Sequence, residues 1–188
     1  MKIINKYAVD NNKPLNLHLG CGTKLKDSYI NIDLYDKSEG HEITPELHLD
    51  ITRIDEYVEP CTVKKILMIH VLEHFNRWEA IELLNKFYNV LEKGGSLILE
   101  MPDLDGCIDF YINNKGAKHR TPYGKINRGL VILYGDQWSR DLHGTHKYLW
   151  RKEEFKKVLT DIGFSVLTLD NNVKSHVKKR DMRAVCEK

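Results

Sequence analysis

The stretch Leu15–Asp33, LNLHLGCGTKLKDSYINID, runs an apolar strand (LNLHL, Leu15–Leu19) straight into Gly20-Cys21-Gly22. A second strand, YINIDL (Tyr29–Leu34), follows at once and carries Asp33 near its end. Glycines after a strand let the backbone approach a ligand, and an acid closing the next strand is a partner for ribose hydroxyls. A dinucleotide fold would add a third glycine, a helix N-terminus under the pyrophosphate and an acid about 20 residues on. Here Asp33 follows Gly22 by eleven positions, too few for a full helix and a strand. The phosphate-binding device is missing while the ribose acid remains, a pattern that suits a nucleoside without phosphates, such as S-adenosylmethionine. The alternative is a tight turn followed by a surface aspartate.

Five more segments have strand character: ELHLDI (Glu46–Ile51), KKILMIH (Lys64–His70), SLILEMP (Ser96–Pro102), FSVLTLD (Phe164–Asp170) and MRAVCE (Met182–Glu187). The central ones are apolar on both faces, as buried parallel strands are. NRWEAIELLNKFYNVLEKGG predicts a helix. Its apolar residues Trp78, Ile81, Leu84, Phe87, Tyr88 and Leu91 keep a helical period, with Asn76 as cap and Gly94 as stop. RKEEFKKVLTDIGF predicts a second helix ending at Gly163. Alternating strands and helices imply a parallel sheet with right-handed crossovers. The last two strands have only the polar loop NNVKSHVKKRD between them and read as an antiparallel hairpin. Gly106–Trp150 keeps no clear period and is expected to cover the site as short helices and loops.

A chain of 188 residues suits one domain with a core that needs no disulfide or structural metal. The net charge of +2 announces neither a nucleic-acid nor a membrane partner. Cys21, Cys61, Cys107 and Cys186 are scattered without a CxxC pair, as in reduced cytosolic proteins, so a cytoplasmic location is expected. The opening MKIINKYAVD does not resemble a signal peptide, and no segment approaches the roughly 20 apolar residues of a membrane span.

LHLGCGTKLKDSYINIDL, HVLEHF, FYNVLEKGGSLILEMPD and HKYLWRKEEFKKVLTDIGF occur in this order. Together they resemble the class I S-adenosylmethionine-dependent methyltransferases, nearest to a small bacterial and phage-type group with a shortened first helix. The resemblance implies an α/β, Rossmann-like three-layer sandwich whose seven-stranded, mostly parallel sheet has an antiparallel last strand. It implies a single domain over 1–188, with a cofactor-binding core at 14–105, an acceptor-side lid at 106–150 and a C-terminal helix and hairpin at 151–188. Carried across, Gly20, Cys21 and Gly22 match the loop around the methionine part of S-adenosylmethionine, Cys21 through its backbone. Asp33 matches the ribose acid, with Leu34 beside the adenine. Asp50 and Ile51 match the pair at the adenine amino group and ring face, and His70 and Val71 lie under the cofactor.

HVLEH (His70–His74) also fits the zinc-peptidase pattern H-x-x-E-H, which needs both histidines on one helix. An apolar strand runs into His70, so peptidase chemistry is not expected. Small-RNA 2′-O-methyltransferases look similar here, with E-x-x-E-H and a later histidine on a divalent ion. This chain has His70 in place of their first glutamate, and His143 or His146 in the later position. No metal is assigned.

Methyl transfer requires an aligned acceptor and an excluded solvent. A hydroxyl or ammonium acceptor must also lose a proton, which suits histidine. His74, His143 and His146 are the candidates, the last two in the segment DLHGTHKYLW with Asp141, expected to fold over the pocket. Trp138 and Trp150 are expected to pack rather than stack on substrate. Asp103 and Asp105 could hold a polar substrate or cap the next helix. KSHVKKR (Lys174–Arg180) reads as a solvated turn, with nucleic-acid contact as the alternative. The expected acceptor is a polar small molecule such as a sugar or nucleotide-sugar derivative. An RNA-modifying enzyme and a non-catalytic cofactor-binding protein are the two rivals.

Overall fold

Leu17, Leu19, Ile30, Ile32, Ile66, Met68, Leu97 and Leu99 are all at most 1% exposed, which makes their strands the centre of the core. Burying each such side chain contributes about 1.5–3 kcal/mol before entropy is counted. The structure, a computed structural model, describes residues 1–35, 43–138, 142–175 and 177–188. Along the chain it forms α1 (Ile3–Asp10), β1 (Asn16–Leu19), β2 (Ile30–Asp33), β3 (Leu47–His48), α2 (Ile54–Tyr57) and β4 (Val63–Ile69). Then come α3 (Arg77–Val90), β5 (Leu91–Pro102), α4 (Leu104–Asn113), β6 (Lys118–Thr121), β7 (Gly124–Asn127) and α5 (Arg128–Tyr134). The chain closes with α6 (Lys152–Ile162), β8 (Ser165–Asp170) and β9 (Asp181–Glu187).

Seven strands form one sheet in the order β3-β2-β1-β4-β5-β9-β8. The first five pair in parallel, and β9 runs antiparallel between β5 and β8. This is the Rossmann-like α/β sheet with an antiparallel last strand that the sequence predicts. The strand order reverses between β1 and β4, and ligands of open α/β sheets bind at such a switch point, off the carboxyl ends of the strands.

Several elements depart from expectation. The third strand is short, because Ile51–Arg53 leaves it as a 3-10 turn capped by Asp50. Helix α3 starts after Asn76, whose backbone N–H donates to Glu79 at 2.8 Å. It stops at Val90 rather than at Gly94, since Leu91 already pairs with Val63 in the sheet. Trp78 is 62% exposed, and Ala80 and Leu83 fill the inner face instead. Helix α1 carries no strong signal, yet Ile4 and Ala8 reach the core and the Asn5 amide bonds to Thr62 and Glu59.

Residues 106–150 contain helices and loops, as expected, plus the two-stranded β6–β7 hairpin. Trp150 is fully buried against Phe155 and Tyr148, while Trp138 stacks on His119. Asp103 precedes α4 without capping it. It pairs instead with Lys152, and Asp105 pairs with Arg151, so the two acids tie α4 to the start of α6. Between β8 and β9, Lys174, Lys178 and Lys179 are exposed, as expected of a solvated turn, and the segment is anchored near its ends. Lys174 and Ser175 donate their backbone N–H groups to the Glu100 carboxylate at 2.9 and 3.0 Å, and Arg180 pairs with Asp181.

Candidate active site

The carboxyl ends of β1 to β4 open into a cavity of about 560 Å³, within the range of small-molecule sites. Gly20, Gly22, Asp33, Leu34, Asp50, Ile51, His70 and Val71 all line it. The sequence singled out Gly20, Gly22 and Asp33 by the loop and strand pattern and the other five through the family resemblance, and the fold brings all eight to one cavity. Cys21 is the exception among the nine. Its side chain is buried outside the cavity lining, and burial together with the nearby Asp33 charge pushes its thiol up to about 12.

Gly20 and Gly22 have φ of +64° and +49°, the left-handed region that favours glycine. A Cβ on Gly20 would lie 2.3 Å from Val71 Cγ2, so only glycine fits between β1 and the end of β4. A Cβ on Gly22 would meet nothing within 4 Å. Asp33, only 8% exposed, accepts the Gly22 N–H on Oδ2 at 2.8 Å and the Tyr35 N–H on Oδ1 at 3.2 Å. A carboxylate has about four lone-pair sites, so about one acceptor position remains on each oxygen. Two acceptor positions on one buried acid match a vicinal diol, as a ribose presents. Asp50 caps the turn after β3 by accepting the Thr52 N–H at 2.9 Å.

His70 follows β4 with φ +53°, unusual for a non-glycine residue. Its Nδ1 lies 3.0 Å from Glu73 Oε1 and its Nε2 lies 3.3 Å from Asp181 Oδ2. Burial alone would lower its pKa, but the Asp181 and Glu73 carboxylates outweigh it and raise the imidazole to about 9. His70 is therefore a cation at neutral pH. Asp181, at the start of β9, is a site neighbour that sequence reasoning missed; it follows the basic loop with no motif around it. Burial would raise its pKa, yet His70 and Arg180 hold it down at about 2.

His74 and His143 line the cavity beside Lys147, and His143 packs edge-on to Tyr35 at 5.7 Å between ring centroids. His146 sits behind His74, 5.2 Å away between ring centroids, and does not line the cavity. Burial depresses its pKa, against the pull of the Glu73 charge. This arrangement separates the three histidines that the sequence grouped as proton acceptors. Asp141 lies outside the described residues. Glu73, part of the HVLEH segment that the sequence compares with a divalent-ion site, is 1% exposed and neither carboxylate oxygen accepts a hydrogen bond. It forms an ion pair with His70 at 3.0 Å.

Residues 16–169 match the family model of a methyltransferase domain. The chain belongs to that family and is a class I S-adenosylmethionine-dependent methyltransferase. A search of curated proteins finds no match to it. Among solved structures, it is similar in fold to a S-adenosylmethionine-dependent methyltransferase from Archaeoglobus fulgidus. That match has a TM-score of 0.59 at 15% identity, over 98% of this chain and 91% of the other. A methyltransferase from Methanosarcina mazei matches with TM-score 0.60 at 12% identity, over 96% of each chain. The 1,6-didemethyltoxoflavin-N1-methyltransferase of Burkholderia thailandensis, with 1,6-didemethyltoxoflavin and S-adenosylhomocysteine bound, matches with TM-score 0.54 at 10% identity. That alignment covers 99% of this chain and 76% of the other. No helix among the described residues is long and apolar enough to cross a membrane.

Proposed function

We propose that this enzyme methylates a polar small molecule, a sugar or nucleotide-sugar derivative, in the cavity at the carboxyl ends of β1 to β4. The observation that carries the reading is the lining of that cavity. Asp33 and the glycine loop border it together with His74, His143 and Lys147. S-adenosylmethionine supplies an electrophilic methyl group on a sulfonium sulfur. Asp33 accepts the two ribose hydroxyls at its remaining lone pairs. Leu34, Asp50 and Ile51 flank the adenine, Gly20 and Gly22 let the backbone approach the methionine part, and His70 and Val71 form the floor.

On the acceptor side, His143 takes the proton that an acceptor hydroxyl or amine releases. An imidazole changes charge between pH 5 and 8, which suits that role. Lys147 offers a cation to an acidic acceptor group such as a phosphate. Two hydrogen bonds hold this side in place: the Lys147 and Tyr148 N–H groups donate to the Glu73 carbonyl at 2.8 and 3.3 Å. Residues 142–150 are thereby fastened over the 3-10 turn Leu72–His74, in keeping with the role of a cover. A small-molecule acceptor is also supported by the Burkholderia enzyme, whose bound acceptor is one.

The test is transfer of label from methyl-labelled S-adenosylmethionine to a panel of sugars, nucleotide sugars and structured RNAs. Label in a sugar-type acceptor is the expected result. Label in RNA alone would overturn the small-molecule reading.

A further inference from the structure

We propose that the β6–β7 hairpin, with the exposed sides of α4 and α5 next to it, docks on an anionic lipid surface. Residues 113–135 hold Lys115, Lys118, Arg120, Lys125 and Arg128 and no Asp or Glu. The remainder of the chain holds more Asp and Glu than Lys and Arg, so the net charge of +2 conceals a strongly basic segment. All five cations are exposed, and none forms an ion pair among the described residues.

The hairpin concentrates this charge. Arg120 sits directly opposite Lys125, and Lys118 opposite Asn127. Side chains alternate across a strand, so Lys118, Arg120 and Lys125 share one side of the ribbon, with His119, Thr121 and Ile126 on the other. That second side is turned to the protein. Thr121 is buried, His119 and Ile126 are half-buried, and His119 stacks on Trp138 at 5.1 Å between ring centroids. Like charges directly opposite each other destabilise a ribbon. A two-stranded ribbon apart from the main sheet has little of its own to offset that cost. An anionic partner offsets it.

Apolar side chains surround the cations. Ile108, Tyr111 and Ile112 are exposed at i, i+3 and i+4 of α4, and Leu130 and Tyr134 are exposed one turn apart on α5. Tyr123, in the two-residue turn of the hairpin, is 74% exposed. The two helices pack as one block at Gly129, where an added Cβ would lie 2.7 Å from Tyr111 Cδ2. The acids of α4 are engaged: Asp105 pairs with Arg151, and Asp109 accepts from Asn113 at 2.7 Å.

This composition matches a bilayer interface. There Lys and Arg meet lipid phosphates, tyrosine rings sit at the headgroup level and aliphatic groups enter the acyl boundary. A nucleic acid would satisfy the cations and stack on the tyrosines, but it would give Ile108, Ile112 and Leu130 nothing in return. The block is also fastened to the cavity's cover. Asp136 donates its N–H to the Gly144 carbonyl at 2.8 Å, and His146 donates its N–H to the Tyr134 carbonyl at 3.0 Å. Docking therefore holds the segment that carries His143 and Lys147 near the lipid surface. The inference goes beyond the methyl-transfer reading and does not rest on it.

The test is co-sedimentation of the full chain with vesicles of equal parts phosphatidylcholine and phosphatidylserine. Vesicles of phosphatidylcholine alone and a single-stranded RNA oligonucleotide serve as comparison ligands. The wild type should bind the mixed vesicles and release them at high salt. The double variant Arg120→Ala/Lys125→Ala should bind them roughly 10- to 30-fold more weakly. Its urea midpoint should hold or rise, because the opposed like charges are gone. Ile112→Ser/Tyr123→Ser should weaken vesicle binding about 10-fold or more and keep the salt dependence. Should one variant fail to fold by circular dichroism, the other decides. The proposal is overturned by no binding to the mixed vesicles, by equal binding to phosphatidylcholine alone, by equal binding in a folded variant, or by binding of the RNA in place of vesicles.

Discussion

Gly22 donates its backbone N–H to Asp33 Oδ2 at 2.8 Å, joining the loop after β1 to the end of β2 as one corner of the cavity. Together with the Tyr35 N–H on Oδ1, this hydrogen bond positions the acid and leaves it about half its acceptor capacity. The two glycines of that loop should differ sharply in what they tolerate. Gly20→Ala meets left-handed strain and a Cβ 2.3 Å from Val71 Cγ2, whereas Gly22→Ala meets strain alone. Expected losses are about 2–4 kcal/mol for Gly20→Ala and about 1–2 kcal/mol for Gly22→Ala. Urea denaturation of both variants checks this. Equal losses would mean that Val71 yields freely.

Replacing His143 by alanine should spare cofactor affinity and lower turnover by roughly 10²–10⁴. The ring lines the cavity next to Tyr35 and belongs to neither the glycine corner nor the buried Glu73 cluster. Calorimetry with S-adenosylhomocysteine and single-turnover rates on an identified acceptor separate the two effects. A variant with full turnover removes His143 from the mechanism.

The fold and most of the residues that line the cavity were legible in the sequence. Apolar strands, the Gly20–Gly22 pair and the acid at Asp33 are local signals, and each strand end delivers its next residue to the same edge of the sheet. The short third strand and the early end of α3 were not, because pairing with neighbouring strands decided them: Leu91 joins Val63 before the chain reaches Gly94. Nor could the sequence separate His143 from His146. They are three positions apart, yet one faces the cavity and the other turns behind His74 onto the Ile132 carbonyl. Asp181 entered the site only because β9 inserts beside β5, a long-range pairing with no local mark.

Stability should fall in acid through Asp181. Its side chain is fully buried against His70 and Arg180, which overcome the burial cost and hold its pKa at about 2. A carboxyl depressed below its unfolded value stabilises the fold above that value and loses the contribution as pH falls through the folded pKa. The window therefore runs from about pH 4 down to about pH 2, and the contribution is roughly 2 kcal/mol. Urea midpoints measured from pH 5 downward should decline in the wild type. In Asp181→Asn, which starts less stable, the decline over the same window should be shallower. Parallel curves would show that Asp181 does not carry the effect.

The central claim is that the cavity at the ends of β1 to β4 binds the cofactor through Asp33, and calorimetric titration of S-adenosylhomocysteine into wild type and Asp33→Ala tests it most directly. The wild type should bind one equivalent. The variant should lose about 1–3 kcal/mol, since both ribose hydroxyls would be left without their buried acceptor. Circular dichroism must show the variant folded, because Asp33 also accepts from Gly22 and Tyr35. Unchanged affinity in a folded Asp33→Ala, or no binding by the wild type, would contradict the account.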